Sequence, residues 1–138
     1  IVEIMNNLKS KQKKYISIHI RMTDFIETIT KQKFEQVDLD KYYCFIEKYK
    51  DCDIYLATDD FRIQEIMKKK YEDRLFYYEK LDNNFKHHKR TTSNESTFID
   101  LFMCIDSLDF LGTRKSTYSI VIELYKYINS NIDIKKSK

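Results

Sequence analysis

Tyr15-Ile16-Ser17-Ile18-His19-Ile20-Arg21-Met22-Thr23-Asp24 decides how the rest of the chain is read. Isoleucine recurs at every second position from 16 to 20, which is the period of a β-strand. The strand then ends in Arg21, followed by Thr23 and Asp24, which suit a turn through bonds to backbone. Downstream, Asp40–Tyr49 places Tyr42, Tyr43, Phe45, Ile46 and Tyr49 at helical spacing. Ile54–Ala57 is a short apolar run with aspartate on both sides, a second strand. Phe61–Tyr71 sets Ile63, Ile66 and Met67 on one helical face, and Arg74–Tyr78 reads as a third strand. Lys80–Asn94 has no periodicity and reads as a loop. Thr97–Ser107 is apolar almost all round, the pattern of a buried helix. Asp109–Leu111 is a brief fourth strand. Ser116–Ile128 is the last helix, with Ser116 as its N-cap and Ser119 three residues on. The polar tail Asn129–Lys138 is expected to fray.

Strands and helices alternate, with connections long enough for crossovers. That order predicts an α/β fold: a Rossmann-like parallel sheet with helices on both faces. One domain is expected over 1–138, its core about 15–128. In such sheets ligands bind beyond the carboxyl ends of the strands. Functional residues should therefore follow strands one, two and four.

The 138 residues are enough for one core. With 42% hydrophobic and 14% aromatic residues the chain is globular in composition. No apolar run reaches the roughly 18–20 residues that span a bilayer. The opening residues are too polar for a signal peptide, and the first is not Met, so a segment of a longer protein is expected. The net charge of +3 is small, and Lys9–Lys14, Lys68–Lys70, Lys86–Arg90 and Lys135–Lys138 are scattered. They read as solvated loops and tails, so no nucleic acid is expected as a partner. With no Pro and one Gly, turns are expected to use Asn, Asp and Ser. Cys44, Cys52 and Cys104 show no paired spacing and read as buried free thiols.

Four segments carry chemistry. Arg21 can hold a phosphate through parallel charge-assisted bonds, or pair with Asp24. After strand two, Ala57-Thr58-Asp59-Asp60 supplies adjacent carboxylates: Asp60 to cap the next helix, Asp59 to orient Arg21. Asp100 sits in the apolar helix, where a carboxylate needs a partner. That partner is either a Lys or Arg or the adjacent N–H donors of a base such as guanine. Gly112-Thr113-Arg114-Lys115-Ser116 leads into the last helix, whose N-terminus suits a phosphate, although a plain capped helix has the same residues. Asp51-Cys52-Asp53 precedes strand two, at the wrong edge for a site, and His87-His88 has no partner at metal-ligand spacing; no metal is expected.

In this order the segments resemble the donor-binding half of the α-1,6/O-fucosyltransferase and nodulation fucosyltransferase group. The group shows His-x-Arg-Arg-Thr-Asp, then Leu-Ala-Thr-Asp-Asp, an acidic apolar helix ending in Ser, and a Thr-x-x-Ser turn. Here these are His19–Asp24, Leu56–Asp60, Asp100–Ser107 and Thr113–Ser116. The resemblance implies half of a GT-B glycosyltransferase that transfers fucose from GDP-fucose with inversion and no metal or other cofactor. It assigns Arg21 to the β-phosphate as the catalytic group, and Ser116 and Thr113 to phosphate oxygens. Asp100 and the His19 backbone would read guanine, and Asp24, Asp59 and Asp60 would support the donor pocket. Met22 stands where the group has a second Arg, Phe25 where it has a basic residue, and Glu27 is displaced from the position of an acidic residue.

The partners implied are a nucleotide sugar, a glycan or protein acceptor, and an amino-terminal acceptor domain in cis or trans. The isolated half is expected to be inactive. The cytoplasm, where bacterial members work, is the expected location; the Golgi lumen would apply to a eukaryotic relative with a lost anchor. A non-catalytic nucleotide-sugar module is the alternative, with a basic nucleic-acid-binding protein a remoter one.

Overall fold

Strand β1 (Tyr15–Ile20) organises the molecule. In the computed structural model, which describes residues 2–10, 14–21, 39–79, 94–113 and 116–136, every side chain of β1 is buried. The chain runs α1 (Val2–Ser10), β1, α2 (Asp40–Glu47), β2 (Asp53–Thr58), α3 (Phe61–Tyr71), a 3-10 turn (Glu72–Arg74) and β3 (Leu75–Phe76). It continues through α4 (Asn94–Asp106), β4 (Phe110–Leu111) and α5 (Thr117–Lys136). The sheet order is β3-β2-β1-β4 and every pairing is parallel. β1 and β2 pair from Tyr15↔Asp53 to Ile20↔Thr58, while β4 meets β1 at Ser17↔Phe110 and Ile18↔Leu111.

Alternation along the strands divides the core. Ile16, Ile18, Ile20, Ile54 and Leu56 pack with Tyr42 and Ile46 of α2 and with Ile63 and Met67 of α3. Tyr15, Tyr55 and Ala57 pack with Met5 of α1, with Ile99, Met103 and Cys104 of α4, and with Ile122 of α5. Each fully buried aliphatic side chain contributes about 1.5–3 kcal/mol. Helices thus cover both faces, and the architecture is Rossmann-like α/β.

Several boundaries differ from the sequence reading. β3 is short because Arg74 leaves the strand, its guanidinium donating to Cys52 O at 3.0 Å and Tyr49 O at 3.1 Å. The helix α4 is not buried all round: Phe98 is 47% and Phe102 41% exposed, their rings stacked on each other. The tail does not fray after Ile128, since α5 continues to Lys136. Cys44 is exposed, whereas Cys52 and Cys104 are buried thiols as expected. Among the described residues the one with positive φ is Glu72 (52°), so this turn uses neither Asn, Asp nor Ser.

Candidate functional site

The carboxyl ends of β1 and β2 open into a cavity of about 550 Å³, roofed by the first turns of α4 and α5. His19 and Arg21 enter it from β1, Thr58 and Asp59 from β2. Thr97, Phe98, Asp100 and Leu101 come from α4, and Thr117, Tyr118 and Val121 from α5. This is the edge at which the strand order placed a site.

A set of hydroxyls holds the strand ends together beyond their short ladder. Thr113 Oγ1 donates to His19 O (2.9 Å) and accepts from Arg21 N–H (2.9 Å). Tyr42 OH donates to the same His19 carbonyl at 3.0 Å. Both lone pairs of that oxygen are therefore engaged within the fold. Ser119 Oγ accepts from Thr113 N–H (3.0 Å) and bonds His19 Nδ1 at 2.8 Å. Gly112 makes this approach possible, because a Cβ there would stand 2.3 Å from Ser119 Oγ. The single glycine thus serves helix–strand packing at φ below zero rather than a left-handed turn.

The aromatic wall is fixed in the same way. The Tyr118 ring lies 4.7 Å from that of His19, and its hydroxyl donates to Thr97 O at 2.7 Å. Burial, then the nearby Asp100 carboxylate, pushes the Tyr118 phenol far up. Asp100 is itself buried and accepts a 2.6 Å bond from Tyr55 OH. Desolvation and Asp100 likewise raise the Tyr55 phenol well above its ordinary value, so it stays a proton donor.

The carboxylates after β2 divide their roles. Asp60 is fully buried and caps α3, accepting from Arg62 N–H at 2.8 Å and pairing with its guanidinium at 2.8 Å. The capping role read from sequence is present. Asp59 lines the cavity together with Arg21. Ser116 precedes α5 at the N-cap position, where its carbonyl accepts from Ile120 N–H at 3.1 Å. Its hydroxyl does not cap: Oγ is buried, without a hydrogen-bond partner among the described residues.

The structure thus gathers His19, Arg21, Asp59 and Asp100 in one cavity, whereas Asp60, Thr113 and Ser116 do not line it. Asp24, Met22, Phe25, Glu27, Arg114, Lys115 and His87-His88 lie outside the described residues. Asp53 begins β2 at the opposite edge of the sheet, and no group of three metal-ligating side chains occurs among the described residues.

No protein-family profile and no curated protein sequence matches the chain. Among solved structures it is similar to NodZ α-1,6-fucosyltransferase co-crystallized with GDP, with a TM-score of 0.60 and 15% identity. The likeness is one of fold, a parallel α/β sheet with helices on both faces. The match takes in 91% of this chain and 40% of that one, so the chain spans well under half of the enzyme's length. Sequence reasoning missed Tyr55, Tyr118 and the role of Ser119. Tyr55 and Asp100 are 45 residues apart, and nothing local marks them as partners. The close pairing of Gly112 with Ser119 had one local signal, the chain's only glycine just before a helix.

Proposed function

We propose that this chain is the nucleotide-sugar-binding half of a glycosyltransferase, with GDP-fucose as donor. The observation that carries the reading is the composition of the cavity. A cationic Arg21, a buried Asp100 and the first turn of a 20-residue helix meet at the carboxyl edge of a parallel sheet, and just before that helix the Ser116 hydroxyl is buried without a partner among the described residues. Arg21 suits a diphosphate, Asp100 suits the adjacent N–H donors of guanine, and the helix N-terminus suits phosphate oxygens. Thr113 then acts through position, tying Arg21 and His19 backbone, while Ser116 offers its hydroxyl to phosphate. The fold likeness to an enzyme crystallised with GDP supports the same ligand class.

Transfer breaks the bond between the sugar's anomeric carbon and the β-phosphate oxygen, and the electron pair leaves with GDP. Arg21 and the α5 amides would stabilise the developing charge without a metal, as preorganised dipoles do. The acceptor hydroxyl, yielding its proton to a general base, attacks from the opposite side, which inverts the anomeric centre. An acceptor domain, in cis or trans, would present that hydroxyl.

Calorimetry with GDP, ADP and UDP tests the reading. GDP-selective binding lost in Arg21→Ala with the fold intact supports it; retained binding in that variant overturns it. Met22 and Phe25, in place of basic residues, favour a second reading, a module that binds the donor without turning it over. Donor hydrolysis or transfer by the chain together with an acceptor domain removes that alternative.

A further inference from the structure

We infer that Tyr55 is a positioning residue for base selection, orienting Asp100 so that the cavity prefers a purine bearing an amino group next to its ring N–H. The inference rests on the nucleotide reading above and deepens it. Tyr55 is fully buried in the middle of β2, with its ring edge-on to Tyr15 and Phe76. Its ring is therefore fixed, and its hydroxyl reaches the helix above to meet Asp100 Oδ1 at 2.6 Å.

The choice of a phenol has a chemical consequence. A lysine or arginine at position 55 would neutralise Asp100. A neutral hydroxyl aims the carboxylate without itself adding a positive charge. Because burial and Asp100 both hold the Tyr55 proton on, the donor does not titrate near neutrality. Asp100 also lines the cavity, so a fixed anion faces the ligand space beside the Tyr118 ring. A carboxylate held in one orientation favours two adjacent N–H donors, as on guanine, over the single ring N–H of hypoxanthine. It disfavours the bare ring nitrogen of adenine. A site built to accept a particular N–H discriminates against an analogue that lacks it.

The test compares GDP with IDP, which lacks only the 2-amino group, in calorimetric titrations of the full chain. Wild type is expected to bind GDP roughly tenfold or more tightly than IDP. Tyr55→Phe keeps the ring and its aromatic contacts, so it folds, as a thermal melt will report. Its expected effect is a fall of the IDP-to-GDP ratio of dissociation constants towards unity, with GDP affinity lower by roughly tenfold. Asp100→Asn should lower the same ratio, and the two substitutions together should do little more than either alone. A merely structural Tyr55 would weaken GDP and IDP equally. An unchanged ratio in folded Tyr55→Phe, against a discriminating wild type, overturns the inference and leaves the nucleotide reading standing. A wild type that binds neither nucleotide ends both.

Discussion

The two sides of the sheet are built from alternate residues of the same strands, yet they differ in kind. Under α2 and α3, Ile16, Ile18, Ile20, Ile54 and Leu56 form an aliphatic layer. Under α4 and α5, the intervening residues Tyr15, Ser17, His19 and Tyr55 each send a polar atom to a helix. Tyr15 OH donates to Met103 O, and Ser17 Oγ to Cys104 O. His19 bonds Ser119, and Tyr55 bonds Asp100. Apolar packing is non-directional, so it holds the helices without fixing their register closely. Hydrogen bonds are directional, and on this side they fix the helices against particular strand residues. The cavity lies on the side whose geometry is specified in that way.

The largest effect that separates the two sides is alkaline. Tyr15 and Tyr118 are raised by burial and nearby acids, and Tyr55 well above its ordinary value. Tyr71, packed on the aliphatic side, is raised to about 12, chiefly by burial. Unfolded phenols ionise near 10. Stability from these groups is thus fully present below about pH 10 and is lost as pH climbs towards the folded values. Lys126 has the opposite sign: burial lowers it, so its contribution rises towards its ordinary 10.5, but it is one group against four. Urea midpoints between about pH 9 and pH 11 should fall steeply, and Tyr118→Phe should flatten the fall. A flat profile would break the comparison.

Ile18→Ala tests the aliphatic side and should cost about 2–5 kcal/mol in denaturant unfolding. Nucleotide affinity of the folded fraction should stay within about twofold, because no polar group of the cavity moves. Ser119→Ala tests the other side. It leaves the Thr113 N–H and His19 Nδ1 without their shared partner and should cost about 1–3 kcal/mol. Unlike Ile18→Ala, it should weaken GDP binding in step, as paired melts and titrations would show. The smallest effect is expected for Asp60→Asn, which keeps a capping oxygen and puts an amide nitrogen in place of the oxygen that pairs with the Arg62 guanidinium. With Arg62 more than a third exposed, screening should hold the loss below about 1 kcal/mol.

How far these features were legible depends on their range in sequence. The period of two in Tyr15–Ile20 revealed β1, and the run Phe61–Tyr71 coincides with α3 from end to end. Helix α1 was missed because its apolar residues are few: Met5 is buried, while Ile4 and Leu8 only pack against the core. The length of α5 was missed because its later turns are polar, and polar composition does not stop a helix that lacks Gly and Pro. Arg21, Asp59 and Asp100 could be named from charge at strand ends or in apolar surroundings. Tyr55 could not, since a tyrosine in a strand looks like core whether or not its hydroxyl has work to do. Ser116 was expected to cap and instead keeps its hydroxyl buried and unpartnered among the described residues.

The central place of β1 also bears on how the chain matures as it is synthesised. One edge of β1 is closed by β2, but the other waits for Phe110 and Leu111, about 90 residues further on. At roughly 5–20 residues per second, a nascent chain would carry that open edge for about 5–20 s. During this interval Ser17 and Ile18 expose backbone groups that can template pairing with a neighbouring chain. A translating ribosome would therefore be the setting in which chaperone binding near residues 15–20 matters most, and substitutions in the two-residue strand β4 would act there first.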